Sequence, residues 1–141
     1  MIDKLNPIGE DGVDFINIYS KGKTEVGREL SNWALHPINI SIGKFSSIEG
    51  LIFFLGSFDD DLRGLYGFYA KQLGEKRDRE IRLPEDVFRG YIIEAMECIA
   101  PNIVIGEKLP LVHYYEYGGK RIVPKKWLWQ VELWEKLLYG S

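Results

Sequence analysis

The chain has few of the side chains that build disulfides and metal sites. Its 141 residues include one cysteine, Cys98, and two histidines, His36 and His113. A single cysteine cannot form an intrachain disulfide, and neither histidine has a second histidine or a cysteine at metal-ligand spacing. We therefore expect no disulfide framework and no metal site.

Long apolar segments and phosphate-binding glycine loops are also absent from the sequence. A membrane-spanning helix needs roughly 20 consecutive apolar residues, and polar residues from Asp3 onward interrupt any signal-peptide pattern. Neither G-x-x-x-x-G-K-S/T nor G-x-G-x-x-G occurs. The net charge of -3 disfavours general attraction to nucleic-acid phosphates. We expect a cytoplasmic protein that binds neither membranes nor nucleic acid in general.

The residues that are present give an ordinary globular composition, with 45% hydrophobic and 28% charged residues. A chain of this length can bury one hydrophobic core without cross-links. Residues 1–12 are polar and carry Pro7, Gly9 and Gly12. We predict that this segment is a loosely ordered leader and that residues 13–141 form a single domain.

Short segments of alternating character predict the strands. Residues 15–19 and 38–42 alternate apolar and polar side chains, which is typical of half-buried strands. Residues 111–123 contain β-forming residues on both sides of a glycine pair, which predicts a hairpin. The charged segment 21–28 is interpreted as a loop.

Apolar residues at helical spacing dominate the remainder. Ser46 and Glu49 match the S-x-x-E capping box, in which the hydroxyl and the carboxylate each accept from a backbone N–H. The short apolar helix that follows is expected to end at Gly56. Further helices are predicted over residues 62–74, from Pro84 to Pro101 and from Pro124 to Leu138. The predicted class is α+β, predominantly helical with one small β-sheet.

The residues that suit glycosidic chemistry are a carboxylate, aromatic rings and cations. Cleavage of a glycosidic bond requires a carboxylate that orients water or stabilises an oxocarbenium-like carbon. Aromatic faces hold a base and a ribose, and cations hold phosphates. The chain offers Glu49, the rings of Tyr19 and Trp33, and the cations Lys21, Lys23 and Arg28.

Five segments occur in an order that resembles the NADAR (NAD and ADP-ribose) family, also called YbiA-like. They are Ile18-Tyr19-Ser20, Leu30-Ser31-Asn32-Trp33, Pro37-Ile38, Ser47-Ile48-Glu49 and Ala70-Lys71-Gln72-Leu73-Gly74. The family pattern is a strand ending in an aromatic residue, S-N-aromatic, proline before a strand, S-x-E at a helix start, and A-K-x-L-G. The resemblance covers residues 15–74.

The resemblance implies a YbiA-like α+β fold and hydrolysis of an N-glycosidic bond. The implied substrates are ADP-ribose attached to a nucleobase, or a phosphorylated riboflavin-pathway intermediate. Glu49 would be the catalytic carboxylate, Ser31 and Asn32 would hold the sugar or phosphate, and Trp33 would shape the pocket wall. Lys71 would lie on the helix behind the site. No metal or redox cofactor is expected.

The C-terminal half departs from the family pattern. The family has a tryptophan after A-K-x-L-G-R, whereas an acid and two cations follow Gly74 here. Near its C-terminus the family has W-G-x-G and a later G-x-N-x-L-G, and residues 115–120 of this chain occupy the corresponding region without that asparagine. Glu116 is the candidate replacement for the nearby acid, and Tyr117 stands where the tryptophan would be. Tyr117 is the candidate replacement for that tryptophan and, with Tyr19 and Lys21, completes the predicted substrate contacts.

Other hypotheses stay open. The altered C-terminal half also suits an inactive ADP-ribose-binding, nucleotide-binding or protein-interaction module. Trp129 falls outside the buried stripe of the last helix, which would suit a partner-binding or self-associating protein. Structural roles compete at each site: a helix cap for Glu49, turns for Ser31 and Asn32, and a hydrogen-bonded core position for His113. By family analogy, the compact size fits a virus-encoded (phage) or toxin-defence protein.

Overall fold

The structure is a computed structural model that describes residues 2–77 and 81–140. The described strands are β1 Ile16–Asn17, β2 Ile38–Ile40, β3 Gly43–Phe45, β4 Leu111–Val112, β5 Tyr115–Tyr117 and β6 Lys120–Ile122. The described helices are α1 Glu25–Leu30, α2 Ile48–Ser57, α3 Gly67–Glu75, α4 Glu85–Ile99 and α5 Leu128–Tyr139. The chain forms two compact units: unit 1 is Met1–Ser31 with Asn102–Ser141, and unit 2 is Asn32–Pro101. Residue 1 of the predicted leader and residues 78–80 and 141 of the predicted domain lie outside the described residues.

A pair of parallel strands forms the framework of unit 1. In this pair β1 lies beside β4, with Ile16 opposite Leu111. Helix α1 packs beside β1, and α5 packs beside β4. The strand predicted over residues 15–19 is confirmed at Ile16–Asn17. Its predicted half-buried character is wrong, because residues 15–18 are all buried. The polar residue of this strand, Asn17, is buried because its side chain has hydrogen-bond partners inside the unit.

Asn17 extends the pairing of β1 and β4 through its side-chain amide. Its Nδ2 donates to the Tyr114 carbonyl oxygen at 3.1 Å, and its Oδ1 accepts from the Tyr114 N–H at 2.9 Å. The Asn17 N–H donates to Asp11 Oδ1 at 2.9 Å. A buried amide is stable in such a position because its donor and acceptor are both satisfied.

The hairpin predicted in the C-terminal half is confirmed, but it is shorter than predicted. Strands β5 and β6 pair antiparallel, and the turn between them contains Gly118 and Gly119, with φ of 59° and 75°. Positive φ at both central positions is the requirement of a type I′ turn, and glycine meets it without strain. Leu111–Val112 lies outside the hairpin because it pairs with β1.

Unit 2 is built around α2. Strands β2 and β3 form a hairpin, and α4 packs beside β2. Helix α2 contacts both α3 and α4. Leu51 and Leu55 of α2 are 0% and 1% exposed. A helix that is apolar on nearly every side is expected to be buried, and α2 matches that expectation.

Small residues allow α2 to approach its neighbours closely. A Cβ built on Gly74 of α3 would lie 2.2 Å from Phe53 Cγ of α2. Ala70, one turn before Gly74, is fully buried. A Cβ built on Gly50 of α2 would lie 2.7 Å from the Leu62 carbonyl oxygen. These positions therefore accept no larger side chain without a shift of the surrounding structure.

The α+β class with mainly helical content is confirmed. The single small sheet is wrong, because the described strands form three separate two-stranded sheets. The loop predicted over residues 21–28 is confirmed for residues 21–24 and wrong for residues 25–28, because Thr24 accepts from the Gly27 N–H and caps α1, which begins at Glu25. The helix predicted from residue 62 begins only at Gly67, since Tyr66 before it has an extended backbone. None of the described helices combines the length and apolar character that a membrane span requires.

Candidate functional site

Glu49 is the second residue of α2, and the cap of this helix lies one residue later than the sequence predicts. Ser47 has the extended backbone of an N-cap, and its Oγ accepts from the Gly50 N–H at 3.0 Å. The same Oγ donates to the Leu65 carbonyl oxygen at 2.8 Å. The capping box assigned to Ser46 and Glu49 is therefore wrong. Glu49 still stands in the first turn, where the helix dipole stabilises negative charge.

The Glu49 carboxylate is hydrogen-bonded to Trp33. Trp33 Nε1 donates to Glu49 Oε2 at 2.5 Å. The Glu49 backbone N–H donates to the Asn32 carbonyl oxygen at 2.8 Å. Two consecutive residues of the Leu30-Ser31-Asn32-Trp33 segment therefore bind both the backbone and the side chain of Glu49.

Lys71 joins this group from α3. Its Nζ lies 5.6 Å from the centroid of the Trp33 ring, which is within the range of a cation–π contact. Lys71 Nζ also lies 3.9 Å from Glu75 Oε1 on the same helix. This ion pair is exposed and therefore contributes little to stability. The Trp33 carbonyl oxygen accepts from the Gly67 N–H, the first residue of α3, at 2.9 Å. Three of the five motif segments thus meet at the N-terminus of α2, which we call the Glu49 cluster: Trp33, Glu49 and Lys71.

Unit 1 contains a cleft of about 340 Å³, within the size range of small-molecule sites. Two predicted substrate contacts, Tyr19 and Lys21, line it. Lys23, Tyr115 and Arg121 line it as well. Aromatic rings and cations from three separate parts of unit 1 therefore converge on one cleft.

The acidic residues of the cleft already have partners. Asp11 is 8% exposed, and its two carboxylate oxygens accept from two backbone N–H groups at 2.9 Å each. Glu10 lies 3.8 Å from Lys23 Nζ, and Glu116 lies 3.9 Å from Arg121 Nε. Within residues 2–77 and 81–140, Lys21 has no ion-pair partner. Lys21 is therefore the cation of the cleft that can pair with an anion without breaking an existing ion pair.

Arg121 forms one wall of the cleft through several contacts. One of its nitrogens, Nη1, donates to the Pro7 carbonyl oxygen at 3.2 Å. Its guanidinium carbon lies 4.7 Å from the centroid of the Tyr114 ring. Burial raises the pKa of the Tyr114 phenol, and the Arg121 charge opposes this rise. Tyr114 is therefore a neutral phenol at physiological pH.

The other predicted contacts stand elsewhere. Ser31 is the C-cap of α1 and is 8% exposed, and its N–H donates to the Arg28 carbonyl oxygen at 3.2 Å. Tyr117 is 77% exposed on β5, opposite Lys120, and is not among the residues that line the cleft. Within unit 1, the structure therefore groups Tyr19 and Lys21 but does not bring Ser31 or Tyr117 to the same cleft.

His113 has the surroundings of a structural histidine. Its Nδ1 lies 2.5 Å from the Ile18 carbonyl oxygen. Burial lowers the pKa of His113, and the contact with the Ile18 oxygen opposes that effect. Among the described residues, no three His, Cys, Asp or Glu side chains lie together in a way that could hold a metal ion.

Sequence reasoning missed Asp11 and Arg121 as cleft residues. Asp11 lies in the segment predicted to be a loose leader, and Arg121 lies outside every motif segment. The one local signal for Arg121 is its register opposite Glu116 across the hairpin.

Comparisons of the chain with protein-family models, with curated proteins and with solved structures found no match.

Proposed function

We propose that the chain is a cytoplasmic N-glycosidase that hydrolyses the N-glycosidic bond of an ADP-ribose-like or nucleotide-linked ribose. In this proposal Glu49 is the catalytic carboxylate. The observation that carries it is the hydrogen bond from Trp33 to Glu49 at the start of α2, with Lys71 beside the Trp33 ring. A reacting carboxylate must be held in a fixed position, and residues from three separated segments supply that support.

The proposed reaction uses water and one carboxylate. Glu49 takes a proton from water while the water oxygen bonds to C1′ of the ribose. The bond between C1′ and the base nitrogen breaks, and its electron pair leaves with that nitrogen, which takes up a proton. The products are a ribose with a C1′ hydroxyl and the free base. The carboxylate also stabilises the positive charge that develops at C1′.

The test is hydrolysis of ADP-ribosylated guanine, in nucleic acid and as the free ribosylated base. Glu49→Gln keeps the side-chain size and an accepting oxygen but removes the base, so kcat should fall about 100- to 10,000-fold. Glu97→Gln is the matched control, because Glu97 is an exposed acid on α4 of the same unit. Equal activity of wild type and Glu49→Gln overturns the catalytic role. Inactivity of the wild type on both substrates overturns the proposal for this substrate class.

The cleft of unit 1 favours a second candidate, an inactive ADP-ribose- or nucleotide-binding module. Tyr19 and Tyr115 offer rings for a base or ribose, and Lys21 and Arg121 offer cations for phosphates. This candidate requires tight binding without turnover, whereas the enzyme requires turnover that depends on Glu49.

Calorimetric titration with ADP-ribose tests the second candidate. Lys21→Ala should weaken binding about tenfold, which corresponds to one charge-assisted contact. Lys108→Ala is the control, because Lys108 lines a different cavity of unit 1 of about 350 Å³. Absence of binding to the wild type, or equal loss in both variants, contradicts a nucleotide site in the Lys21 cleft.

A further inference from the structure

We infer that Trp33 is a positioning residue for Glu49, and that its indole N–H fixes the orientation of the reacting carboxylate. This inference rests on the proposed function and adds a specific role to it. An aromatic residue that only shapes a pocket wall needs a ring and no donor. Trp33 uses its donor on Glu49 Oε2, and that bond is the observation that separates the two roles.

The indole is itself held in place by unit 2. The Trp33 carbonyl oxygen accepts from the Gly67 N–H, which ties its backbone to the start of α3. The adjacent Asn32 carbonyl oxygen accepts from the Glu49 N–H, which ties the same segment to α2. The Lys71 ammonium lies over the ring. Backbone bonds to two helices and a contact on the ring thus support the position from which the indole N–H reaches Glu49.

The chemistry of the indole determines what it can do for Glu49. Indole N–H is a hydrogen-bond donor and cannot accept a proton from water or substrate. Its effect on the reaction must therefore pass through the carboxylate. The last torsion of a glutamate side chain is broad, so a fixed donor on one oxygen restricts the plane of the carboxylate. A misplacement of about 1 Å at a reacting group can lower the rate about 100-fold.

Trp33→Phe is the kinetic test, because it keeps an aromatic ring and removes the N–H. We expect kcat to fall about 10- to 100-fold while KM changes less than about threefold. Trp127→Phe removes an indole from unit 1 and should leave both constants unchanged. A Trp33→Phe variant with wild-type kcat, or with only KM raised, overturns the positioning role and leaves Trp33 as a wall residue.

Indole N–H signals in a ¹H–¹⁵N spectrum give a second readout that does not depend on turnover. The four tryptophans give four such signals, and the one lost in Trp33→Phe belongs to Trp33. Glu49→Ala removes the acceptor, so the Trp33 signal should move more than the other three. Glu97→Ala should move none of them. If Trp33→Phe does not fold, single phenylalanine variants of the other three tryptophans identify the Trp33 signal by elimination. By either assignment, an unmoved Trp33 signal in Glu49→Ala overturns the inference.

The two proposals fail in different ways. A wild type that hydrolyses no substrate overturns the proposed function, and the spectrum alone then decides whether Trp33 holds Glu49. An active wild type whose kcat does not change in Trp33→Phe overturns only the positioning role.

Discussion

Gly74 lies at the contact between α3 and α2, and substitution there has an effect that the structure allows us to estimate. A Cβ at this position would lie 2.2 Å from Phe53 Cγ and 2.5 Å from each Phe53 Cδ. Separations this short force the ring or the helix to move. Overpacking of a core costs roughly 1–3 kcal/mol. Because three ring atoms are involved, Gly74→Ala should lie near the upper end of that range.

Helix propensity acts in the opposite direction. Alanine is more favourable than glycine inside a helix by about 1 kcal/mol. The expected net effect of Gly74→Ala is therefore a loss of about 2 kcal/mol in the free energy of unfolding. Gly90 in α4 is the matched control. Apart from its chain neighbours and the backbone of its own helix, no described residue lies within 4 Å of a Cβ built there. Gly90→Ala should stabilise by about 0.5–1 kcal/mol.

Urea unfolding followed by circular dichroism measures both free energies. The same substitution should change them in opposite directions, so errors common to both measurements cannot produce the result. Adding Phe53→Leu to Gly74→Ala should recover part of the loss, since an aliphatic side chain can turn away from the new methyl group. Stabilisation by Gly74→Ala equal to that by Gly90→Ala would refute the packing argument.

The remaining predictions concern a buried amide, a helix cap and a phenol. Asn17→Ala leaves the N–H and carbonyl of Tyr114 buried without their present partner and should lower the free energy of unfolding by about 3 kcal/mol in urea titrations. Ser47→Ala removes the N-cap of α2 and should cost about 1–2 kcal/mol, with Ser47→Thr restoring most of the loss in thermal unfolding. Burial, followed by the nearby Glu135 charge, raises the pKa of Tyr139 to about 12, above the value near 10 of an unfolded chain. The contribution of this phenol to the free energy of unfolding is therefore complete below about pH 10 and is lost as the pH rises toward 12. Tyr139→Phe should therefore flatten the pH dependence of stability over that interval.

Local signals in the sequence predict an element well where they alone determine the backbone. A glycine pair meets the φ requirement of the hairpin turn, and Pro84 before two acids marks the start of α4 at Glu85. Boundaries fail where a distant residue decides them. The cap of α2 is Ser47 and not Ser46, and the Oγ of Ser47 also donates to Leu65, 18 residues away. No window of local sequence contains that bond.

The candidate site shows the same division. The family resemblance implies that Trp33, Glu49 and Lys71 belong to one site, and the structure places Trp33 in contact with Glu49 and near Lys71 in unit 2. The indole N–H bond could not be predicted, because the sequence does not specify the direction of a side chain. Arg121 was missed for a related reason: its carbonyl partner, Pro7, lies 114 positions away.

Residues that pack or cap helices stand beside residues of the proposed reaction within the motif segments of unit 2. In A-K-x-L-G, the buried alanine and the glycine lie among packed helices, whereas the lysine lies over Trp33. In S-x-E, the serine caps α2 and Glu49 carries the carboxylate. A loss of activity after substitution in either segment therefore does not by itself identify a catalytic residue.

Glu49→Gln removes the proposed base, so it should lower kcat. Because it preserves the side-chain volume, it should change stability little. Ser47→Ala should lower stability while the folded fraction keeps most of its kcat, because the capping serine lies two residues before Glu49 and does not act in the proposed reaction. Measured together, stability and kcat distinguish residues that build the Glu49 cluster from those that act in the proposed reaction.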